Sequence, residues 1–166
     1  LLPLIGALIN GMMGKRMSRT SVAGVACSAV AGSFLISAGA FLQVLRTLPD
    51  ELPFVSDYFT WIEVAPFRAM VGFSLDQLSG LMILIVTGVG FLIHVYSAGY
   101  MEHEDGYYRY FAYLNLFMFS MLTLVLANNY LLMFVGWEGV GLCSYLLIGF
   151  YFSRRSATDA GKKAFI

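Results

Sequence analysis

One acid stands out by where it lies. Residues 130–150, YLLMFVGWEGVGLCSYLLIGF, form an apolar run with Glu138 inside it. As a helix this run is about 31 Å long, close to one hydrocarbon thickness. Glu138 then lies about 12 Å from one end and about 18 Å from the other, too deep for its side chain to reach water comfortably. A charge at a helix centre costs roughly 2.5–3.5 kcal/mol on insertion scales. Apolar neighbours at about 0.3–0.6 kcal/mol each offset that cost without explaining the acid. The chemistry open to such a group is proton or cation handling. Burial disfavours the charged form of a carboxyl and a nearby cation favours it, so a carboxyl held between the two can load and release a proton. Gly136, Gly139 and Gly141 leave room beside Glu138 for another helix, water or a cationic partner. The competing reading is a structural acid hydrogen-bonded to a neighbouring helix. On either reading Glu138 is expected to face a bundle interior.

Two further residues are candidates for proton movement. His94 lies about four residues from the end of an apolar run over 75–97, and imidazole titrates near neutrality. At that depth it also fits an interfacial histidine. Lys163, beside Lys162, opens a later helix and is a candidate proton entry, with surface anchoring as the alternative. His103 shares a turn with Glu102, Glu104 and Asp105, which reads as a solvated loop rather than a metal site. Cys27 and Cys143 fall in apolar runs and read as small packing residues.

The elements that position these groups follow from hydropathy and turn signals. Residues 1–14 are an apolar helix and 21–45 a second, rich in Ala, Gly and Ser, which allow close helix approach in lipid. Residues 46–73 are an extramembrane loop or hairpin. YFTWIEV and FRAMVGF alternate around Ala65-Pro66, with Tyr58, Phe59 and Trp61 suited to a membrane interface. The third helix is expected over 75–97, with Ser74 as its cap and Gln77 completing a capping box. Asp76 in the first turn suits the helix dipole. A fourth helix spans 110–127. The Asn128-Asn129 break makes the fifth, 130–150, its antiparallel neighbour. A sixth begins at about 159, capped by Thr158 or Asp159. Leu1 opens inside an apolar stretch and Ile166 falls in an opening helix, so the sequence is expected to be part of a longer polypeptide.

Composition supports this all-α, multi-pass reading. The 166 residues are 59% hydrophobic and 12% charged, with a mean hydropathy of +0.76. Those values fit an integral membrane protein. The net charge is zero, so no nucleic-acid footprint is indicated. No GxGxxG, P-loop, CxxC series, flavin-binding pattern or nucleophile elbow is present, and no redox centre or cofactor is expected in this chain. Lys15, Arg16, Arg19, Arg109, Arg154, Arg155, Lys162 and Lys163 fall on one side of the membrane, and Arg46 and Arg68 on the other. The positive-inside rule puts the first side in the cytoplasm or its equivalent, with the hairpin and Asn128-Asn129 outside.

The strings SLDQLSGLMILIVTGVGFLIHVYSAGYM, RYFAYLNLFMFSMLTLVLANNYLLMFVGWEGVGLCSYLLIGFY and KKAF carry a resemblance. From about Ser74 onward the sequence resembles the largest antiporter-like subunit of respiratory complex I. That is chain L of bacterial NADH–quinone oxidoreductase, or chain 5 in mitochondria. The resemblance implies a bundle of about fourteen to sixteen helices with two inverted five-helix repeats, each with a half-channel and a broken helix. It matches Glu138 to the family's fifth-helix glutamate. The partner lysine, on a broken seventh helix, is expected in further sequence. It implies a subunit of an NADH–quinone oxidoreductase translocase that couples electron transfer elsewhere to proton pumping. FMN, iron–sulfur clusters and quinone then belong to other subunits. The expected partners are other membrane-arm subunits, especially a neighbouring antiporter-like one, and the lipid bilayer. The expected location is the bacterial inner (plasma) membrane, or the mitochondrial inner membrane in a eukaryote. A multisubunit cation/proton antiporter, a membrane-bound hydrogenase, a photosynthetic relative of complex I or a purely structural brace are the alternatives.

Overall fold

A computed structural model describes residues 1–165. Six helices and one two-stranded sheet follow in the order α1 (Leu2–Met13), α2 (Arg19–Arg46), β1 (Phe54–Val64), β2 (Phe67–Leu75), α3 (Gln77–Tyr100), α4 (Tyr107–Leu126), α5 (Tyr130–Ile148) and α6 (Arg155–Phe165). α2, α3, α4 and α5 are long and apolar enough to cross a membrane. α1 and α6, at 12 and 11 residues, fall short of that length. α4 is central, packing against α1, α2, α3 and α5, while α6 packs against α5.

Burial is inverted relative to a water-soluble bundle. On α3, Leu78, Leu92 and Tyr96 are exposed, while Thr87, His94 and Ser97 are buried. The spacing of the buried set is helical, so one polar stripe faces the neighbouring helices and the apolar remainder faces outward. Lipid accepts the apolar face, and the bundle must accept the polar one. Phe111, Tyr107, Met101, Val22, Ala26 and Phe150 close a cluster at the end of the bundle near the α3–α4 turn.

Several element starts differ from those expected from sequence. β2 continues through Ser74 to Leu75, so Ser74 lies in a strand and does not cap α3. Asp76 is the cap instead. Its Oδ1 accepts from Ser79 N at 2.7 Å, and Ser79 Oγ accepts from Asp76 N at 2.8 Å. This is a capping box with a carboxylate at the cap and a hydroxyl at N3, two residues later than expected. α4 starts three residues early because Gly106 takes a φ of 85°, a conformation that favours glycine, and turns the chain into the helix at Tyr107. α6 starts at Arg155, before Thr158 and Asp159. Thr158 is inside the helix, and its hydroxyl donates back to Phe152 O at 3.2 Å rather than capping.

β1 and β2 pair antiparallel from Phe54↔Leu75 to Val64↔Phe67, with Ala65 and Pro66 at the turn. The hairpin is fastened to the start of α5. Asn129 Oδ1 caps that helix by accepting from Leu132 N at 3.0 Å, and its Nδ2 donates to Met70 O of β2 at 2.7 Å. Asn128 Nδ2 donates to Asp57 Oδ1 at 2.5 Å, and Asn128 N to Gly72 O at 3.3 Å. A side chain at residue 72 would collide with both the Asp57 carboxylate and the Asn128 amide, so glycine is required there.

Two stability tests follow from these ends. Asn129→Ala removes both the cap and the link to β2, and is expected to cost about 1–2 kcal/mol. Asn129→Asp keeps an acceptor for Leu132 N but loses the donor to Met70, and is expected to cost less than the alanine. Thermal unfolding of the detergent-solubilised full-length protein checks the order wild type, Asp, Ala. For Asp76, the hydrogen bonds from Ser79 hold the carboxyl below its usual range. A depressed folded value means the cap's stabilisation is present above the ordinary carboxylate range and is lost as pH falls below it. Asp76→Asn is therefore expected to flatten the acid limb of a melting-temperature profile. An unchanged acid limb contradicts the assignment.

Candidate proton-handling site

α5 approaches α4 through its small residues. A Cβ at Gly136 would lie 2.6 Å from Leu124 N, and one at Gly139 would lie 2.6 Å from Ser120 Oγ. Leu132, Gly136 and Cys143 are buried along this seam. The resulting approach fixes the rotation of α5. Residue 138 then points roughly 130° away from the α4 seam at 100° per residue. Glu138 is accordingly exposed, on the face of α5 that α1–α4 and α6 leave open. That face carries Phe134, Trp137, Leu142 and Tyr145, all exposed. Gly141, on the same side, has nothing within 4 Å of where its Cβ would stand. The acid thus has an apolar collar and an open flank.

His94 occupies a different place. It is 0% exposed, so it faces the neighbouring helices. α3 runs on to Tyr100, six residues past it. Its Nδ1 is 2.7 Å from Gly90 O, and its ring lies 6.1 Å from that of Phe111. The hydrogen bond and the ring contact of His94 are with Gly90 and Phe111, and neither involves Glu138. Lys163 is exposed on α6, whose Gly161 packs by Tyr145 and Gly149 at the far end of α5. Tyr145 is two turns, about 10 Å, along α5 from Glu138. Lys162 Nζ is 4.0 Å from Asp159 Oδ1, an exposed pair of little energetic weight. His103 is exposed. Among the described residues no group of three or more His, Cys, Asp or Glu side chains converges as metal ligands would.

Sequence reasoning passed over Asn10 and Asn115, both 0% exposed. The signal that singled out Glu138 applies to them as well. A carboxamide inside an apolar helix is costly unless the bundle receives it.

The comparisons agree with one another. The family described as NADH-ubiquinone oxidoreductase (complex I), chain 5 N-terminus, matches residues 61–111. The family described as NADH:quinone oxidoreductase/Mrp antiporter, TM, matches residues 127–166. NADH-quinone oxidoreductase subunit L of Neisseria meningitidis is 44% identical over 172 aligned residues, covering 100% of this chain and 24% of the relative. The Escherichia coli subunit L is 46% identical over 100% of this chain and 27% of its own length. NADH-ubiquinone oxidoreductase chain 5 of Podospora anserina is 40% identical over 100% of this chain and 25% of its own. The chain thus spans about a quarter of the length of these relatives. In fold it is similar to a chain of an archaeal membrane-bound sulfane sulfur reductase, with a TM-score of 0.81 over 98% of this chain and 31% of that one, at 19% identity. High identity along its whole length, two family matches and the shared fold have one consequence: the chain belongs to the subunit L/chain 5 family of NADH–quinone oxidoreductase.

Proposed function

We propose that these residues are part of a proton-translocating membrane-arm subunit of respiratory complex I, with Glu138 as one side of an ion-pair switch. The observation that carries this is the placement of Glu138 at mid-span on a face that the six described helices leave uncovered. In lipid that face requires a partner helix, and a carboxylate on it requires a donor or cation there. The relatives are about four times longer, so they have sequence enough to supply it. A lysine on a Gly/Pro-interrupted helix is the proposed partner.

The switch works through separation. Two unit charges 4 Å apart interact by about 4 kcal/mol at an effective dielectric of about 20. Pulling them apart changes the proton affinity of either group by about a thousandfold. Electron transfer from NADH to quinone elsewhere in the complex drives the separation, and the released proton leaves toward the outer compartment. FMN, iron–sulfur clusters and quinone are held by other subunits. Neighbouring membrane-arm subunits, one of them antiporter-like, are the partners. His94 and Lys163 are secondary proton-handling candidates, and Lys163 stands at the basic, inner side.

The same reading places this chain as five to six helices of a larger antiporter-like bundle, α1 to α5 followed by α6. The segment 46–73, with its hairpin, lies on the outer face. The location is a bacterial inner membrane, or the mitochondrial inner membrane in a eukaryote. A second reading, the large subunit of a multisubunit cation/proton antiporter, draws on the family description that names the Mrp antiporter over residues 127–166.

Glu138→Gln in the assembled complex is the test. Proton pumping and coupled quinone reduction are both expected to fall while the complex assembles at normal levels. Wild-type pumping in that variant removes Glu138 from the switch. Loss of assembly with normal pumping per complex makes it a structural brace. Copurification with NADH-oxidising and iron–sulfur subunits separates the complex I reading from the antiporter one.

A further inference from the structure

Three of the buried hydroxyls are satisfied within their own helices. Ser33, Thr87 and Thr123 donate to Ala29 O, Ile83 O and Phe119 O at 2.8, 2.6 and 3.0 Å. Three larger polar side chains behave differently. Asn10, His94 and Asn115, from α1, α3 and α4, are all 0% exposed. Each gives one donor to a backbone carbonyl. Asn10 Nδ2 donates to Val22 O at 3.2 Å, His94 Nδ1 to Gly90 O at 2.7 Å, and Asn115 Nδ2 to Phe111 O at 3.1 Å. A carbonyl can only accept. These bonds therefore fix both amide orientations and place the proton of the neutral imidazole on Nδ1. Each side chain is left with an unpaired acceptor, and each carboxamide also keeps a second N–H. Asn10 Oδ1, Asn115 Oδ1 and His94 Nε2 are all buried without a hydrogen-bond partner among the described residues.

The three belong to one region. The His94 ring sits against Phe111, and the Phe111 carbonyl holds Asn115. The Asn115 carboxamide in turn faces Gly6, where an added Cβ would stand 3.2 Å from its carbon and its oxygen. Asn10 is one turn along α1 from Gly6 and reaches across to α2. The unpaired atoms thus cross the bundle from α3, past α4, to the α1–α2 seam. This region is separate from the Glu138 face. α4 meets α5 through Ser120 and Leu124, and residue 120 lies roughly 140° around the helix from residue 115.

Three unpaired acceptors call for an occupant that brings hydrogen-bond donors. One water has two protons to give, so three acceptors take at least two waters. We infer that the α1–α4 core holds a buried site for proton-carrying water, with His94 Nε2, Asn115 Oδ1 and Asn10 Oδ1 as its acceptors. The inference rests on the reading of this chain as part of a proton-moving subunit, and not on the role given to Glu138.

The assembled complex, imaged in lipid nanodiscs and sodium-free buffer at a resolution that shows waters, tests it. Water density is expected about 2.7–3.2 Å from His94 Nε2 and from at least one of the two carboxamide oxygens. In proteoliposomes, His94→Leu is expected to lose protons moved per electron pair, and His94→Gln, which keeps an acceptor at this depth, to recover most of them. A dry site overturns the inference, and so does a protein donor seated on these acceptors. An unchanged proton ratio in His94→Leu overturns it as well. The wild-type density decides the matter where a variant does not assemble. Glu138→Gln leaves these densities in place, so a failure of the Glu138 reading shows in that variant's pumping alone.

Discussion

The structure depends on one constraint: a polar group in lipid must find its partner inside the protein. Backbone groups meet it by forming helices. Serine and threonine meet it by returning their hydroxyls to the preceding turn, as Ser33, Thr87 and Thr123 do. What remains must be buried between helices, where Asn10, Thr87, His94 and Asn115 lie among apolar core residues. Glu138 is the exception that carries meaning. It is the one acidic side chain deep within the four apolar spans, and it lies on an exposed face. On the proposed function, that face meets protein and not lipid. Trp137 and Phe134 beside it are therefore best read as contact surface for protein as much as for lipid.

The position of Glu138 is set by contacts at both ends of a short lever. Asn129 joins the helix start to β2, and nine residues, about 13 Å, separate it from Glu138. Between them Gly136 lies against the backbone of α4. Depth comes from the cap and rotation from the glycine seam. Neither contact touches the carboxylate, yet both decide which neighbour it can meet. The hairpin, remote from any chemistry, is thus part of what positions the acid.

The spans were legible because long apolar runs separated by polar turns leave little choice in fold. Glu138 was legible because a single acid is conspicuous in such a run. The ends were not, and for local reasons. SLDQ contains two overlapping capping patterns, and only the pairing of β2 through Leu75 decides that Asp76 takes the cap. The early start of α4 needs the left-handed Gly106, which leaves no hydropathy signal. Asn129 read as a turn residue, whereas its second hydrogen bond to Met70 spans 59 positions and is invisible to any window. The burial of His94 was ambiguous because depth along a helix says nothing of the direction faced. The unpaired acceptors of Asn10 and Asn115 depend on which carbonyl takes the amide, a fact of three dimensions alone.

α4 is the helix on which these features converge. One side of it carries Ser120 and Leu124 against the glycines of α5, and another carries Phe111 and Asn115 among α1, α2 and α3. At the glycine seam the backbones are too close for α5 to tilt against a stationary α4. Interiors packed this closely rearrange between discrete arrangements rather than deform smoothly. A shift of α5 that changed the surroundings of Glu138 would displace Ser120 and Leu124. The rigid helix would pass that displacement to the turn that holds Asn115. Seen this way, the small residues of the fifth helix do more than clear space around an acid. Among the described residues, they pack α5 against the same helix that carries Asn115.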